Sequence, residues 1–230
     1  MSNPVLDIPA LVEQFHTDGY LVLPKMLPPD YVAQLLEGVK RDFEDYNEES
    51  ALYGETMQRI WRPKMFEHGE PFERLIDYSP MIDLVEAILG HDCHLIANSA
   101  LRTGPGDGIS GWHADETVRF PRPKGVPLDP RIPVPCFVAN LNYYLCDVDE
   151  ELGPTEFVPG SHRSGRQPDA EDRDANGDPT YEGKSVFRAV GEAGTVVVWH
   201  DQTWHRGAPN RSKDRTRWVQ QAPYAKRYIS

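Results

Sequence analysis

The chain has 230 residues, of which 39% are hydrophobic, and a formal net charge of -12. A chain of this kind can bury one substantial core, so we expect a single domain over residues 1–230. The acidic excess disfavours a nucleic-acid partner, because phosphate binding depends on clustered positive charge, and no apolar run approaches the roughly 20 residues that span a bilayer.

Two features of the sequence bear on the cellular compartment. The first four residues, Met-Ser-Asn-Pro, lack the basic and apolar regions of a secretion signal. Cys93, Cys136 and Cys146 are an odd set without close spacing, which is typical of buried free thiols. We therefore expect a cytoplasmic protein that binds neither membranes nor nucleic acid, and the sequence leaves its oligomeric state open.

Helices are expected in the amino-terminal part of the chain, about residues 1–92. Apolar residues recur at helical spacing over residues 11–16 and 31–46, and a short strand is expected between them at 20–23. A third helix is predicted over residues 80–90, where a glycine follows the last apolar position.

Short strands are expected in the remainder, about residues 93–230. Segments rich in β-branched and aromatic residues occur at 136–145, 156–158, 195–199 and 217–222, with turns containing glycine and proline between them. This pattern indicates an antiparallel barrel or a double-sheet jelly roll.

Two long irregular stretches interrupt the strands, at residues 117–135 and 164–184. Loops of this length in a compact domain are commonly lids, binding loops or disordered segments. The first stretch follows Asp115 almost directly, so we interpret it as a loop that covers the substrate. The second stretch is equally compatible with a binding loop and with an ordinary surface loop.

The most informative motif is Trp-His-Ala-Asp-Glu at residues 112–116. His113 and Asp115 are two residues apart, so on a strand their side chains point to the same side. Because the chain has 8 histidines and 36 acidic residues, this spacing alone is weak evidence. His205, in a Trp-His-Arg-Gly run, offers a second imidazole. Two imidazoles and one carboxylate suit iron(II) held on one face, with positions left for oxygen and a co-substrate.

Four further segments, at residues 15–24, 152–163, 194–200 and 205–212, extend the pattern. They include Phe-His-Thr-Asp-Gly-Tyr at the start, Pro-Gly-Ser-His in the third quarter and His-Arg-Gly-Ala-Pro-Asn-Arg-Ser near the end. With these segments the chain resembles the phytanoyl-CoA dioxygenase family of iron(II)/2-oxoglutarate oxygenases over nearly its whole length. The resemblance implies a mainly β fold with flanking helices, a double-stranded β-helix of the jelly-roll or cupin type, and the use of Fe(II), 2-oxoglutarate and O2.

The same resemblance implies a set of iron ligands. His113, Asp115 and His205 would hold the metal as the catalytic triad, and 2-oxoglutarate would chelate it through its keto oxygen and one carboxylate. His200 competes with His205 for the distal position. Since His205 directly precedes the family-like run Arg-Gly-Ala-Pro-Asn, we interpret His200 as a strand-end histidine.

An arginine is expected to bind the other carboxylate of 2-oxoglutarate, because a guanidinium group offers paired donors in a fixed plane. Arg215 and Arg217 both follow His205. Matching the run Asp-Arg-Thr-Arg at 214–217 to the family's Asp-Arg-Pro-Arg favours Arg217, which also opens a predicted strand. Arg215 is the alternative.

The carboxylate at Asp115 bears on the reaction, because iron halogenases of similar fold have a small residue at that position. The resemblance therefore implies hydroxylation or another oxidation of a C–H bond in a small-molecule metabolite, with release of succinate and CO2. Desaturation, epoxidation and ring formation use the same iron and stay open. Candidate substrate contacts, chosen because they adjoin the ligands or lie on a strand expected to face the interior, are Arg102, Trp112, Glu116, Arg119, Tyr143 and Trp204.

Three other classes of protein could use the same residues. A zinc-dependent hydrolase could hold an activated water with two histidines and an aspartate, but it does not need an arginine after the distal histidine. A cupin-like binding protein or isomerase could carry another metal. A non-catalytic protein could bind 2-oxoglutarate without turnover. Formation of succinate separates the oxygenase from all three.

Overall fold

The protein is described by a computed structural model over residues 4–45, 61–115, 121–126, 128–129 and 131–229. These residues form two antiparallel sheets, one of eight strands and one of four. Helices from the amino-terminal part cover the outer face of the larger sheet, and the two sheets enclose the functional cavity described below.

Three of the four described α-helices lie where apolar periodicity predicted them, and the short helix at Glu70–Glu73 was not predicted. The four are α1 (Ile8–Asp18), α2 (Pro29–Asp45), the short α3 (Glu70–Glu73) and α4 (Met81–Leu89). Helix α1 begins at Asp7, whose carboxylate accepts a hydrogen bond from the Ala10 amide at 3.2 Å, and ends at Gly19 in the left-handed conformation. Residue 46, the predicted end of the second helix, lies outside the described residues. No described helix has the length and apolar character needed to span a bilayer.

The twelve described strands are mostly short. In chain order they are β1 (Tyr20–Leu23), β2 (Trp61–Arg62), β3 (His94–Leu95), β4 (Ser99–Thr103), β5 (Ile109–His113), β6 (Val138–Tyr144), β7 (Thr155–Phe157), β8 (Phe187–Ala189), β9 (Val196–His200), β10 (His205–Gly207), β11 (Arg217–Gln221) and β12 (Tyr224–Ala225). The strands predicted at 136–145, 156–158, 195–199 and 217–222 correspond to β6, β7, β9 and β11, with ends shifted by one or two residues.

The larger sheet has the order β1-β9-β6-β11-β4-β2, and β12 joins it by pairing with β6 and β3. The smaller sheet has the order β5-β10-β7-β8. Strand β6 shows how the layers are built, because successive side chains point to opposite faces. Leu141 and Tyr143 pack with the helices, whereas Asn140 and Asn142 face the space between the sheets. Every residue of β6 is therefore buried.

The main hydrophobic core lies between the helices and the larger sheet. Phe15 from α1, Leu35 from α2 and Leu84 from α4 are fully buried there against Leu141 and Val198. Since burial of each such side chain contributes about 1.5–3 kcal/mol, this layer provides most of the apolar stabilisation. A smaller apolar cluster, which includes Tyr144, Val197 and Trp199, lies on the inner face of the sheet.

We expect Gly153→Ala to destabilise the fold by at least about 2 kcal/mol, because two penalties combine at this turn before β7. Gly153 has φ +77°, and a Cβ atom there would lie 2.4 Å from the Ala208 carbonyl oxygen. Gly177 is a matched control with φ +85° and no described atom within 4 Å of its Cβ position, so Gly177→Ala should lose only about 1 kcal/mol. Denaturant unfolding measures both values, and equal losses would show that the contact with Ala208 is unimportant.

Candidate metal centre

Strand pairing in the smaller sheet brings His113 and His205 together. His113 ends β5 and His205 begins β10, and these two residues are direct partners in the antiparallel register. Their ring centroids are 4.3 Å apart. Asp115 follows β5 by two residues, and its Oδ1 lies 3.7 Å from Nε2 of His113 and 3.8 Å from Nε2 of His205. The three predicted ligands thus converge on one point.

The two imidazoles are oriented by backbone carbonyls. Nδ1 of His113 lies 2.8 Å from the carbonyl oxygen of Gly111, and Nδ1 of His205 lies 2.8 Å from that of Thr203. An Nδ1–H that donates to a carbonyl leaves the lone pair on Nε2, which is the atom facing Asp115. Burial lowers the pKa of His205, so its ring is held in the neutral form that binds metals.

The carboxylate of Asp115 is oriented as well. Asn140, on β6 of the opposite sheet, donates from Nδ2 to Asp115 Oδ2 at 2.9 Å. Only Oδ1 then faces the two histidines. The Asp115 amide donates to the carbonyl of Asp201 at 2.8 Å, which fixes the backbone. Asn140 was absent from the predicted site, although two asparagines alternating with apolar residues in a buried strand are a signal that could have identified it.

Arg217 is the buried arginine of this region. It is 5% exposed, and Nη2 donates to Thr103 Oγ1 at 3.2 Å, while Nε and Nη1 have no hydrogen-bond partner among the described residues. Burial lowers the pKa of its guanidinium group. A buried cation with two unpaired donors is unfavourable unless an anion binds it, so the group fits the carboxylate of a co-substrate.

Space for that anion is left by a glycine. A Cβ atom on Gly207 of β10 would lie 3.4 Å from Nη2 of Arg217. Arg215, by contrast, lies at the surface, where its guanidinium group bonds to Asp149 at 2.7 Å and to Glu151 at 2.8 Å. Its donors are already engaged by carboxylates, which leaves Arg217 as the arginine suited to 2-oxoglutarate.

One cavity of about 420 Å³ connects the histidine–aspartate cluster with Arg217. This volume falls in the usual range for small-molecule sites. Within the described part of its wall, Arg217 is the only lysine or arginine. The apolar residues that line it are Ile96, Leu101, Ile109, Val138, Trp199 and Pro223, and the uncharged polar side chains are Asn140, Asn142, Thr155 and Gln221.

Two of the candidate substrate residues point away from this cavity because of strand alternation. Tyr143 is fully buried on the helix side of β6, one position out of phase with Asn140 and Asn142. Arg102 lies on the helix side of β4, with its guanidinium carbon 5.1 Å from the ring centre of Phe43. A shift of one residue along a strand moves a side chain to the opposite face. The sequence-based choice of Tyr143 and Arg102 as cavity residues was therefore wrong.

The two tryptophans beside the ligands are also directed elsewhere. The ring of Trp112 lies 4.7 Å from the guanidinium carbon of Arg206, on the face of β5 opposite His113. Trp204 is fully buried and donates from Nε1 to the carbonyl of Arg166 at 2.7 Å. Both are structural neighbours of the site and were wrongly chosen as cavity residues. Glu116 and Arg119 lie outside the described residues.

A second cluster of potential metal donors consists of Cys136, His200 and Asp201. All three are buried, and none of them lines the cavity. Burial lowers the pKa of His200 to about 3, and burial followed by the charge of Asp115 raises the pKa of Asp201 to about 8. The cluster is thus uncharged near pH 7 and closed to a co-substrate. His200 lies at the end of β9, as interpreted from the sequence.

Comparisons with known proteins find similarity in both sequence and fold. The profile of the family described as Phytanoyl-CoA dioxygenase (PhyH) matches residues 15–218. A probable alpha-ketoglutarate-dependent hypophosphite dioxygenase of Stutzerimonas stutzeri is 27% identical over 225 residues, covering 87% of this chain and 73% of that protein.

Two solved structures resemble the whole fold. HygX from Streptomyces hygroscopicus, solved with nickel and 2-oxoglutarate, has a TM-score of 0.71 at 14% identity, over 98% of this chain and 88% of its own. The epimerase SnoN from nogalamycin biosynthesis, solved with Fe3+, alpha ketoglutarate and nogalamycin RO, has a TM-score of 0.71 at 21% identity, over 95% and 83%. The predicted jelly-roll fold is confirmed by these similarities.

Proposed function

Because the chain belongs to the phytanoyl-CoA dioxygenase family of iron(II)- and 2-oxoglutarate-dependent oxygenases, we propose that His113, Asp115 and His205 hold its iron and that Arg217 binds its 2-oxoglutarate. The single observation that carries this assignment is the position of Arg217. It is a buried arginine with two unpaired nitrogens on the same cavity as three convergent ligand groups.

The residues present fit both groups. Two imidazoles and one carboxylate on one side of an open cavity match the ligand set that iron(II) oxygenases use, whereas a closed tetrahedral site would suit structural zinc. When bound, iron(II) with 2-oxoglutarate and O2 supplies the oxidation of a C–H bond, with release of succinate and CO2.

The protein's part in this chemistry is to bind, orient and exclude water. The carbonyls of Gly111 and Thr203 hold the two imidazoles with Nε2 facing the metal position. Asn140 occupies Oδ2 of Asp115 and so leaves Oδ1 for the metal. The guanidinium group of Arg217 sets the direction of the co-substrate through its far carboxylate. Apolar side chains such as Ile109 and Val138 line the remaining wall and disfavour water there.

We further propose that the primary substrate is a compact small molecule that becomes hydroxylated. The cavity of about 420 Å³ must hold 2-oxoglutarate together with the substrate, which limits the size of the latter. Apart from Arg217 and the cluster of His113, Asp115 and His205, the described wall is apolar or uncharged and favours an uncharged body in the substrate. Asp115 occupies the place that a halide would need, which supports oxygen transfer. The hypophosphite and nogalamycin named for the similar proteins differ too much from each other to indicate one substrate.

The test is formation of succinate by the purified protein. Protein loaded anaerobically with Fe(II) and then exposed to air and 2-oxoglutarate should release succinate slowly by itself and faster in the presence of its substrate. With ¹⁸O₂, the organic product should gain one labelled oxygen atom. Protein loaded with Zn(II) is the control and should release none. If Fe(II) protein consumed no 2-oxoglutarate under air with any metabolite fraction, the proposal would be wrong.

A further inference from the structure

The polar stretch at 164–184 contains a side chain that contacts the segment carrying two of the proposed iron ligands. Gln167 forms two hydrogen bonds with the backbone of Ala114: Oε1 accepts from the amide at 2.6 Å, and Nε2 donates to the carbonyl at 2.7 Å. Ala114 is the residue between the ligands His113 and Asp115. We propose that Gln167 is a positioning residue for these two ligands, an inference that rests on the iron site proposed above.

The position of β5 explains why the backbone of Ala114 needs hydrogen bonds from a side chain. In the order β5-β10-β7-β8, β5 is an edge strand with a single neighbour among the described strands, and the ladder to β10 ends at the pair His113–His205. Ala114 lies just beyond that pair and is 3% exposed, so water cannot easily pair with its backbone groups. The amide of Gln167 satisfies both groups at once, as a neighbouring strand would.

Arg166 forms a hydrogen bond with Gln167 and also connects the stretch to the residue that precedes β10, the strand that begins with His205. Nη1 of Arg166 donates to the Gln167 carbonyl at 3.1 Å, and Nη2 pairs with Asp172 at 2.6 Å. The carbonyl of Arg166 accepts the hydrogen bond from Trp204, the residue before His205. Two successive residues, 166 and 167, therefore contact the segments that carry all three ligands.

Movement of the Ala114 backbone is expected to weaken metal binding. Metal–ligand bonds tolerate deviations of only about 0.2 Å, so a backbone that moves at Ala114 displaces both adjacent ligands. Loss of a group that orients a metal ligand weakens metal affinity by about 10- to 100-fold. The contacts of Gln167 stabilise the segment in the absence of metal and thereby prepare it for binding.

Gln167→Met tests the inference, because methionine keeps the length and packing of the side chain and removes both hydrogen bonds. Arg173→Ala is the matched control: Arg173 lies in the same stretch, and its described hydrogen bond stays within that stretch, to the Gly177 carbonyl at 2.6 Å. Anaerobic Co(II) titration should give a dissociation constant about 10- to 100-fold higher for Gln167→Met and unchanged for Arg173→Ala. The absorption bands of bound Co(II) should shift in the first variant alone, and the KM for 2-oxoglutarate should change little, since Arg217 is untouched.

A measurement on the unmodified protein guards against a variant that fails to fold. Hydrogen exchange of the metal-free protein should show a protected Ala114 amide although the strand ladder ends before it. Native-like Co(II) affinity in Gln167→Met, equal losses in both variants, or rapid exchange at Ala114 would each overturn the role of Gln167. Failure of the unmodified protein to bind Co(II) at all would instead contradict the proposed metal site.

Discussion

Asp115→Ala is expected to abolish iron-dependent consumption of 2-oxoglutarate and to lower iron affinity by more than about 100-fold. Removal of a group that merely orients a ligand already costs about 10- to 100-fold, and among the described residues Asp115 supplies the only carboxylate that faces both histidines. Without its negative charge, the two imidazole rings alone would hold the divalent cation. Anaerobic Fe(II) titration and succinate formation under air measure the two effects.

Asp201→Asn is the matched control for this prediction. Asp201 is a second carboxyl group close to Asp115, but its side chain is buried in the other donor cluster. Asparagine keeps its shape, so iron binding and turnover should persist. The metal-free Asp115→Ala protein should unfold at nearly the native temperature, because that side chain is 31% exposed and contributes little to the core. Normal turnover by Asp115→Ala, or loss of iron by Asp201→Asn alone, would contradict the assignment of the metal to His113, Asp115 and His205.

Arg217→Ala is expected to raise the KM for 2-oxoglutarate by about 100-fold or more, with a smaller effect on kcat at saturation. Truncating one partner of a buried, hydrogen-bonded charge pair costs about 2–5 kcal/mol, and 2.7 kcal/mol corresponds to about 100-fold. Arg217 has the burial and the unpaired nitrogens that such a pair requires. Arg217→Lys keeps the charge but not the paired donors, so its KM should lie between those of the native protein and of Arg217→Ala.

Arg215→Ala provides the control from the same run of residues. Its guanidinium group is exposed and paired with Asp149 and Glu151, and exposed ion pairs contribute little. The KM for 2-oxoglutarate should therefore stay within about twofold of the native value. The reverse ordering of the two variants would show that the co-substrate approaches from the surface near Asp149.

The layers of the fold could be predicted from periodicity, but the face of each strand could not. Apolar spacing located α1, α2 and α4 and the strand β6 within a few residues. In β6 both faces are covered, one by helices and one by the second sheet, so the hydrophobic pattern does not distinguish Tyr143 from Asn142. Strands of two or three residues, such as β8 and β12, have no period of their own and form through pairing with neighbours.

The candidate site could be proposed from the sequence where chemistry restricts the residue type. Two histidines and an aspartate were identified from spacing and resemblance, and the match of the family over residues 15–218 confirms the predicted family and enzyme class. Asn140 and Gln167 were missed because they act through hydrogen bonds to other residues. Such contacts join positions 25 and 53 residues apart in the chain. The alternating asparagines of β6 are a local signal for Asn140, whereas no local pattern reveals Gln167.

The most direct test of the central claim is a crystal structure of the protein prepared anaerobically with Fe(II) and 2-oxoglutarate. We expect an anomalous iron signal between Nε2 of His113, Oδ1 of Asp115 and Nε2 of His205, with the far carboxylate of 2-oxoglutarate on the guanidinium group of Arg217. Iron bound by Cys136, His200 and Asp201 instead, or 2-oxoglutarate bound away from Arg217, would contradict that claim.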